Sequence, residues 1–447
     1  MSYFSYSTPY AELFKATRQT LALALPIIFT QVGTIAMSLV DTYFAGQLNT
    51  LELATVATGN SIFWTAAIIL FGLFHGLDAL MPKAHGQKNS HQLNVYLTQS
   101  IWLFLGLLGI GVVLIYTIIY GYHLTTTDPR VLANMVTYIN TLMPTLLFVG
   151  LANILQKFWQ SQGVVQIFTY IIIILNLLNI GLNYLLTQSP FGLPALGAQG
   201  IAVATSMCRL IGLLLVLGYS LNYCKHDLWL HLKHSWQINW HIQRQLLRLG
   251  LPTLGHTAVD VLTFNIAIVF IAQMSATALA SHQIVFMLDC LILMVAVGFS
   301  SAAAIQTGQY LGQNNYARAR AMGWLNIVLA QVFTIVLVAF VLIFNTIYLN
   351  IFTDDMAIIE TALPIVTICA LMQSANSLQM TAAGALRGYG NTLGPFYGNI
   401  ITHYIIGMPM MLILFFYTDM GLTGIWLSFA AALSCSAVIN CWLWIKA

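Results

Sequence analysis

Four carboxylates and one guanidinium, those of Asp41, Asp78, Asp260, Asp289 and Arg209, lie within otherwise apolar stretches of this chain. If such a stretch crosses a bilayer, an ionised group at its centre costs about 2.5 to 3.5 kcal/mol, so each must be paired, hydrated or neutralised by a proton. Asp41 follows Thr30, Thr34 and Ser38 at helical spacing, which gives one face of a helix a polar stripe. Asn176, Asn179 and Asn183 repeat the pattern with amides. An Asp among amide and hydroxyl oxygens can hold a hard monovalent cation, and in a drier setting the same group can carry a proton. The plainer alternative makes Asp41 a hydrated residue at the outer end of its helix, because it lies about 35 Å along a straight helix from Arg18.

A second polar face combines Thr253, His256, Thr257, Asp260 and Thr263, with Asp260 about 18 Å beyond Arg248 and so near mid-membrane. Either Asp260 binds a cation or proton, or it and His256 satisfy each other as buried partners. Gln373, Asn376 and Ser377 form a third cluster that has no carboxylate. His75 and Asp78 sit near a cytoplasmic helix end, where solvation or packing against the Lys83 loop is the expected role. Asp289 can pair with a neighbouring helix, and Arg209 can act as a counter-ion or extend toward the interface. The 20 Tyr, 24 Phe, 10 Trp and 17 Met residues can line a cavity suited to bulky organic cations. The six cysteines, Cys208, Cys224, Cys290, Cys369, Cys435 and Cys441, show no metal-ligand spacing and read as free thiols. The sequence contains no HExxH, GxSxG, Walker or GxGxxG motif, so neither an enzyme nor an ATP-driven pump has support and no cofactor is expected.

The elements that must position these residues are membrane helices. A chain of 447 residues with 59% hydrophobic and 6% charged residues and a mean hydropathy of +0.83 has too little polar surface for a soluble globule. Apolar stretches of spanning length fall at about 19–45, 54–81, 94–120, 133–156, 164–187, 197–221, 245–274, 279–306, 321–348, 358–382, 393–417 and 422–445. The fold class is therefore an all-α polytopic membrane protein of twelve transmembrane helices. Placing the N-terminus inside puts all but two of the 15 Lys and Arg on the cytoplasmic side. Arg130 falls outside and Arg209 within the sixth helix, and both termini are then cytoplasmic. The first hydrophobic run is longer than a signal-peptide core and is read as an uncleaved helix.

The chain also repeats itself. Pro26/Pro252, Gln47/Gln273, Ala54/Ala280, Gly72/Gly298, Gly86/Gly312, Gln87/Gln313 and Asn89/Asn315 coincide at a constant offset of 226. Six helices per copy is an even number, so the halves should be pseudo-symmetric six-helix bundles related by an axis along the membrane normal. Residues 1–221 form the expected N-lobe, 222–244 a cytoplasmic linker and 245–447 the C-lobe. A shared cavity between two such halves is the usual plan of a transporter.

Several segments together carry a resemblance to a known family. Val40-Asp41-Thr42-Tyr43-Phe44-Ala45-Gly46 ends the first helix, Asn179-Ile180-Gly181-Leu182-Asn183 lies in the fifth, and Leu249-Gly250-Leu251-Pro252 opens the seventh. Ala280-Ser281-His282-Gln283 opens the eighth, and Ala382-Ala383-Gly384-Ala385-Leu386-Arg387-Gly388-Tyr389-Gly390 follows the tenth. Over nearly its whole length the chain resembles the multidrug and toxic compound extrusion (MATE) transporters, and within them the NorM-like branch. The resemblance implies a V-shaped pair of bundles in a bacterial-type inner membrane, exporting small aromatic cations in exchange for Na+ or H+. It maps an N-lobe cation site, possible for Na+, onto Asp41, Asn179, Asn183 and Thr205, and a seventh-helix acid onto Asp260. The tenth-helix acid of those relatives is replaced by Asn376. Thr34, Ser38, Asp41, His256, Asp260, Gln373 and Asn376 are then the expected cavity residues. The other expected partner is membrane lipid, with no nucleic acid and a monomeric transporter. A lipid-linked-precursor flippase of the same superfamily is the alternative, disfavoured because intramembrane Arg and Lys are scarce.

Overall fold

The computed structural model describes residues 9–125, 129–188, 196–223 and 237–447. Cys224, Lys225, Lys233 and most of the expected linker lie outside the described residues. Among the described residues there are twelve helices long and apolar enough to cross a membrane. They are α1 (Tyr10–Leu48), α2 (Thr50–Gly86), α3 (Ser90–His123), α4 (Pro129–Ser161), α5 (Gln166–Gln188), α6 (Ala198–Asn222), α7 (Trp240–Ala272), α8 (Ala276–Gly312), α9 (Tyr316–Phe352), α10 (Met356–Tyr389), α11 (Leu393–Tyr417) and α12 (Gly421–Lys446). Most outrun the apolar stretches read from sequence. Hydropathy marks only the segment that can face hydrocarbon, whereas backbone hydrogen bonding carries the helix on into the interfaces. Two helices change pitch internally. α2 tightens to a 3-10 turn at Leu73–Gly76, and α11 widens to a π-helix at Ile401–Gly407.

The repeat has a structural cause at several of its matching positions. Asn49 caps α2 by accepting from the Glu52 amide at 2.9 Å, and its counterpart Ser275 caps α8 by accepting from Ala278 at 3.0 Å. Asn89 and Asn315 likewise accept the Gln92 and Arg318 amides at the starts of α3 and α9. Lys88 and Asn314, also 226 apart, both hold positive φ (56° and 58°) in the tight turns between helices.

Two compact units contain these helices. One comprises Phe29–Leu77 and Lys88–Thr257, and the other comprises α1 up to Ile28, Asp78–Gln87 and Ala258–Ala447. The units therefore do not follow the two sequence halves residue for residue: α1 leaves one unit just after Pro26 and α7 leaves the other a few residues after Pro252. A helix-interior proline removes one i to i−4 bond, which makes both places suited to a change of direction. In each unit the guest helix seats on a glycine. A Cβ on Gly72 would lie 3.2 Å from Leu254 Cα, and one on its counterpart Gly298 would lie 2.2 Å from Ile28 Cγ1, Ile28 being the counterpart of Leu254.

The ends of α2 and α8 cross with almost no side chain between them. A Cβ on Gly86 would stand 2.0 Å from the Gln309 carbonyl oxygen, and one on Gly312 would stand 2.2 Å from the Lys83 carbonyl oxygen. Gly86 and Gly312 are repeat mates, and so are Lys83 and Gln309, so the crossing is itself pseudo-symmetric. Any larger residue must force two helix backbones apart.

Gly86→Ala and Gly312→Ala should each cost about 1 to 3 kcal/mol of stability. Gly109→Ala on α3, where nothing lies within 4 Å of the added carbon, should be neutral or slightly stabilising. Melting of the detergent-solubilised protein, followed by size-exclusion fluorescence, checks this, and equal melting of all three variants would contradict the crossing.

Candidate functional site

In the unit holding most of α1 to α6, Asp41 is buried, at 2% exposure, among three donors from two other helices. Asn179 Nδ2 and Asn183 Nδ2 of α5 donate to Oδ1 at 3.1 and 2.8 Å, and the Thr205 hydroxyl of α6 donates to Oδ2 at 2.7 Å. The cage is braced internally, since Asn183 Nδ2 also reaches Asn179 Oδ1 at 3.2 Å. Local sequence explains the assembly. The buried stripe of α5 runs Phe168, Ile171, Leu175, Asn179, Asn183 and Thr187, so one helical face changes from apolar packing to amides as it approaches Asp41. Gly33 lets α5 come close to α1, because a Cβ there would meet Ile172 Cγ1 at 2.7 Å, and Asn176 Nδ2 donates to the Gly33 carbonyl at 2.9 Å. Asn183 Oδ1 is buried with no hydrogen-bond partner among the described residues. That leaves one oxygen of the cage uncommitted.

Arg209, one turn beyond Thr205 on α6, donates to Thr145 Oγ1 at 2.9 Å and lies over the rings of Phe63 and Trp64 at 5.1 and 5.0 Å. The guanidinium is held by aromatic faces and a hydroxyl, without an ion pair to Asp41 among the described residues.

In the other unit, Asp260 of α7 is more open, with its side chain 28% exposed. Asn399 Nδ2 of α11 donates to its Oδ1 at 2.8 Å, and His403 Nε2 lies 3.7 Å away. His403 sits inside the π-helical segment of α11, and Asn399 lies two residues before its start. Such a widened turn re-aims side chains without breaking the helix. Asp289 of α8 is 3% exposed and accepts from Gln373 Nε2 at 2.5 Å, and Asn376 Nδ2 in turn donates to Gln373 Oε1 at 3.3 Å. Asp78, near the end of α2, is buried 4.0 Å from Arg387 of α10, which also donates to Ser300 Oγ at 2.9 Å.

The structure thus brings together Asp41, Asn179, Asn183 and Thr205 within one unit, and Gln373 with Asn376 in the other. The hydroxyl stripes behave otherwise. Thr34, Thr257 and Thr263 donate to Thr30, Thr253 and Val259 carbonyls on their own helices at 3.0, 3.1 and 2.7 Å. Thr253 bonds the Gly72 carbonyl at 2.8 Å, which makes it a packing contact between α7 and α2. Ser38 is half-buried and His256 buried. His75 pairs with Lys157 Nζ at 3.3 Å. Sequence reading missed Asn399 and His403, although an amide and an imidazole four residues apart in an apolar helix form the same kind of polar face as Asn179 and Asn183. The five described cysteines are free thiols.

The MatE family model matches residues 26–185 and 252–413, two segments whose starts stand 226 apart like the repeat itself. The chain belongs to this family. Similar proteins include multidrug resistance protein MdtK of Photorhabdus laumondii, 28% identical over 439 residues with 96% of this chain and 95% of that protein covered. The probable multidrug resistance protein NorM of Pasteurella multocida is 26% identical over 435 residues, covering 94% and 92%. Among solved structures, the eukaryotic MATE transporter AtDTX14 superposes with a TM-score of 0.87 at 18% identity, over 97% of this chain and 96% of that one. A MOP superfamily transporter from Pyrococcus furiosus superposes at 0.85 with 17% identity, over 99% and 98%. These place the MatE chain among integral membrane transporters by fold. The chemistry of its own residues must then indicate what it carries.

The Asp41 cage makes a prediction about stability alone. Asp41→Ala leaves two buried amides and a hydroxyl without their acceptor and should cost about 1 to 3 kcal/mol, whereas Asp41→Asn keeps an acceptor oxygen and should lose less. Thermal melting of the two purified variants tests this, and identical melting would mean that the cage contributes nothing.

Proposed function

We propose that this protein is a secondary active multidrug exporter that exchanges Na+ or H+ for small aromatic organic cations across a bacterial inner membrane, with both termini cytoplasmic and the monomer as the working unit. The observation that carries the reading is Asp41, a buried carboxyl held by two amides and a hydroxyl with no basic side chain in ion-pair range among the described residues. Burying a carboxyl this way, with Arg209 held on aromatic faces and out of ion-pair contact, is costly unless the group regularly holds a cation or a proton. The relatives' names as multidrug resistance proteins, and the distribution of Lys and Arg along the loops, support the substrate class and the orientation.

In the proposed cycle Asp41 and Asp260 each bind either the coupling ion or the positive end of a drug. Two occupants that compete for one carboxylate cannot be bound together, and each favours a different opening of the protein. Turning the Asn183 amide by half a turn would offer its uncommitted oxygen to a cation beside Asp41, while the amide orientation found here suits the bare carboxylate. One set of residues could therefore serve Na+ or H+. Exchange of one proton for one monovalent cation moves no net charge, so each pH unit sustains about a tenfold drug gradient, ~1.4 kcal/mol. Exchange of two ions per drug would add the membrane potential at ~2.3 kcal/mol per charge per 100 mV.

Ethidium transport into inside-out vesicles under an imposed Na+ or pH gradient is the test. Wild-type protein should concentrate the dye, and Asp41→Asn and Asp260→Asn should each lower gradient-driven transport by at least about tenfold. Undiminished transport by both variants would remove their coupling roles.

A further inference from the structure

Asp289 has no place in the exchange described above, yet it is the most enclosed carboxyl in its unit. It lies about 20 Å along α8 from Ala276 and is 3% exposed, and its Oδ1 faces Gln373 Nε2 of α10 at 2.5 Å and Cys369 Sγ at 3.9 Å. Gln373 is tied in place by Asn376. Among the described residues no Lys, Arg or His forms an ion pair with Asp289. The titratable groups around it are Cys369 from α10, Tyr348 from α9, whose hydroxyl donates to the Ile284 carbonyl at 2.9 Å, and Cys290 on α8 itself, while His282, two turns earlier on α8, packs against Phe286 and Trp426. None of these is bound to the carboxyl as a cation.

We propose that Asp289 is a second coupling group, specific for protons, which is loaded and emptied once per transport cycle with Gln373 as the residue that positions it. The donor set distinguishes it from Asp41. A hard monovalent cation wants several oxygens, whereas here the nearest partners are an amide N–H and a soft thiol. No group of three His, Cys, Asp or Glu able to hold a metal occurs among the described residues. A single amide donor is too little to hold an ionised carboxylate in a dry site, so the closed state holds the neutral acid. When drug binding opens the site, the O–H bond breaks, the proton passes to water, and the carboxylate keeps the electron pair until the site closes and is reloaded. The idea that a drug displaces protons rests on the exchange reading above, but the assignment to Asp289 does not depend on Asp41.

Proton release on adding ethidium to purified protein in lightly buffered detergent, read with a pH dye, tests the assignment. Asp289→Asn, which keeps the shape and the hydrogen bond, should release about one proton fewer per transporter than wild type and show a correspondingly flatter pH dependence of ethidium affinity. The same number released by Asp289→Asn and wild type would overturn the assignment. No release by wild type, together with no gradient-driven dye transport, would instead overturn the exchange reading. Should Asp289→Asn not fold, Gln373→Met leaves the carboxyl and removes its donor. It should move the pH midpoint of dye transport by at least about half a unit, a threefold change in proton affinity. A midpoint equal to that of wild type would give Gln373 a purely structural role and likewise overturn the proposal.

Discussion

A bilayer interior offers no water to a polar group, and that single constraint organises this molecule. Backbone groups meet it by forming long helices. Side chains meet it by finding backbone carbonyls or one another, and the few acidic groups the chain tolerates gather polar side chains from neighbouring helices. Asp41 draws two asparagines from α5 and a threonine from α6. Asp260 draws an asparagine and approaches a histidine of α11, Asp289 takes a glutamine of α10, and Asp78 lies by the one arginine of α10. The partners differ in kind. A guanidinium fixes a carboxylate as an anion, as at Asp78, whereas amides and hydroxyls leave it able to exchange what it holds.

The internal repeat supplies the frame but not the chemistry. Caps, positive-φ turns and helix crossings recur at an offset of 226, from Asn49 and Ser275 to Gly86 and Gly312. The acids do not recur. The counterpart of Asp41 is Ala267 and that of Asp260 is Thr34. Duplicated packing therefore carries two different polar sites.

This division explains what the sequence made legible. Helix number followed from hydropathy, and the repeat marked Gly72, Gly86 and their mates because glycine identity is preserved where two backbones must touch. What glycine touches was not legible, since Gln309 and Lys83 lie more than two hundred residues away from the glycines they meet. The stripe of Asn179 and Asn183 could be read from helical spacing, while its convergence on Asp41 came only through the family resemblance. The Gln373 and Asn376 cluster was visible without its carboxylate, because Asp289 approaches from another helix. Asn399 and His403 went unread because α11 is otherwise so apolar that hydropathy dominates its signal. Where the hydroxyls of the stripes would bond was not legible either, since a threonine in a membrane helix can spend its donor on the carbonyl four residues back.

The central claim is that the carboxyl in the α1 cage exchanges ions for drug, and equilibrium binding reaches it without transport, vesicles or gradients. Ethidium affinity of the purified protein, measured by fluorescence polarisation across Na+ concentration at fixed pH and across pH at fixed Na+, should weaken as the coupling ion rises in the wild type and depend less steeply on it in Asp41→Asn. Identical ion dependence in the two proteins would contradict the account.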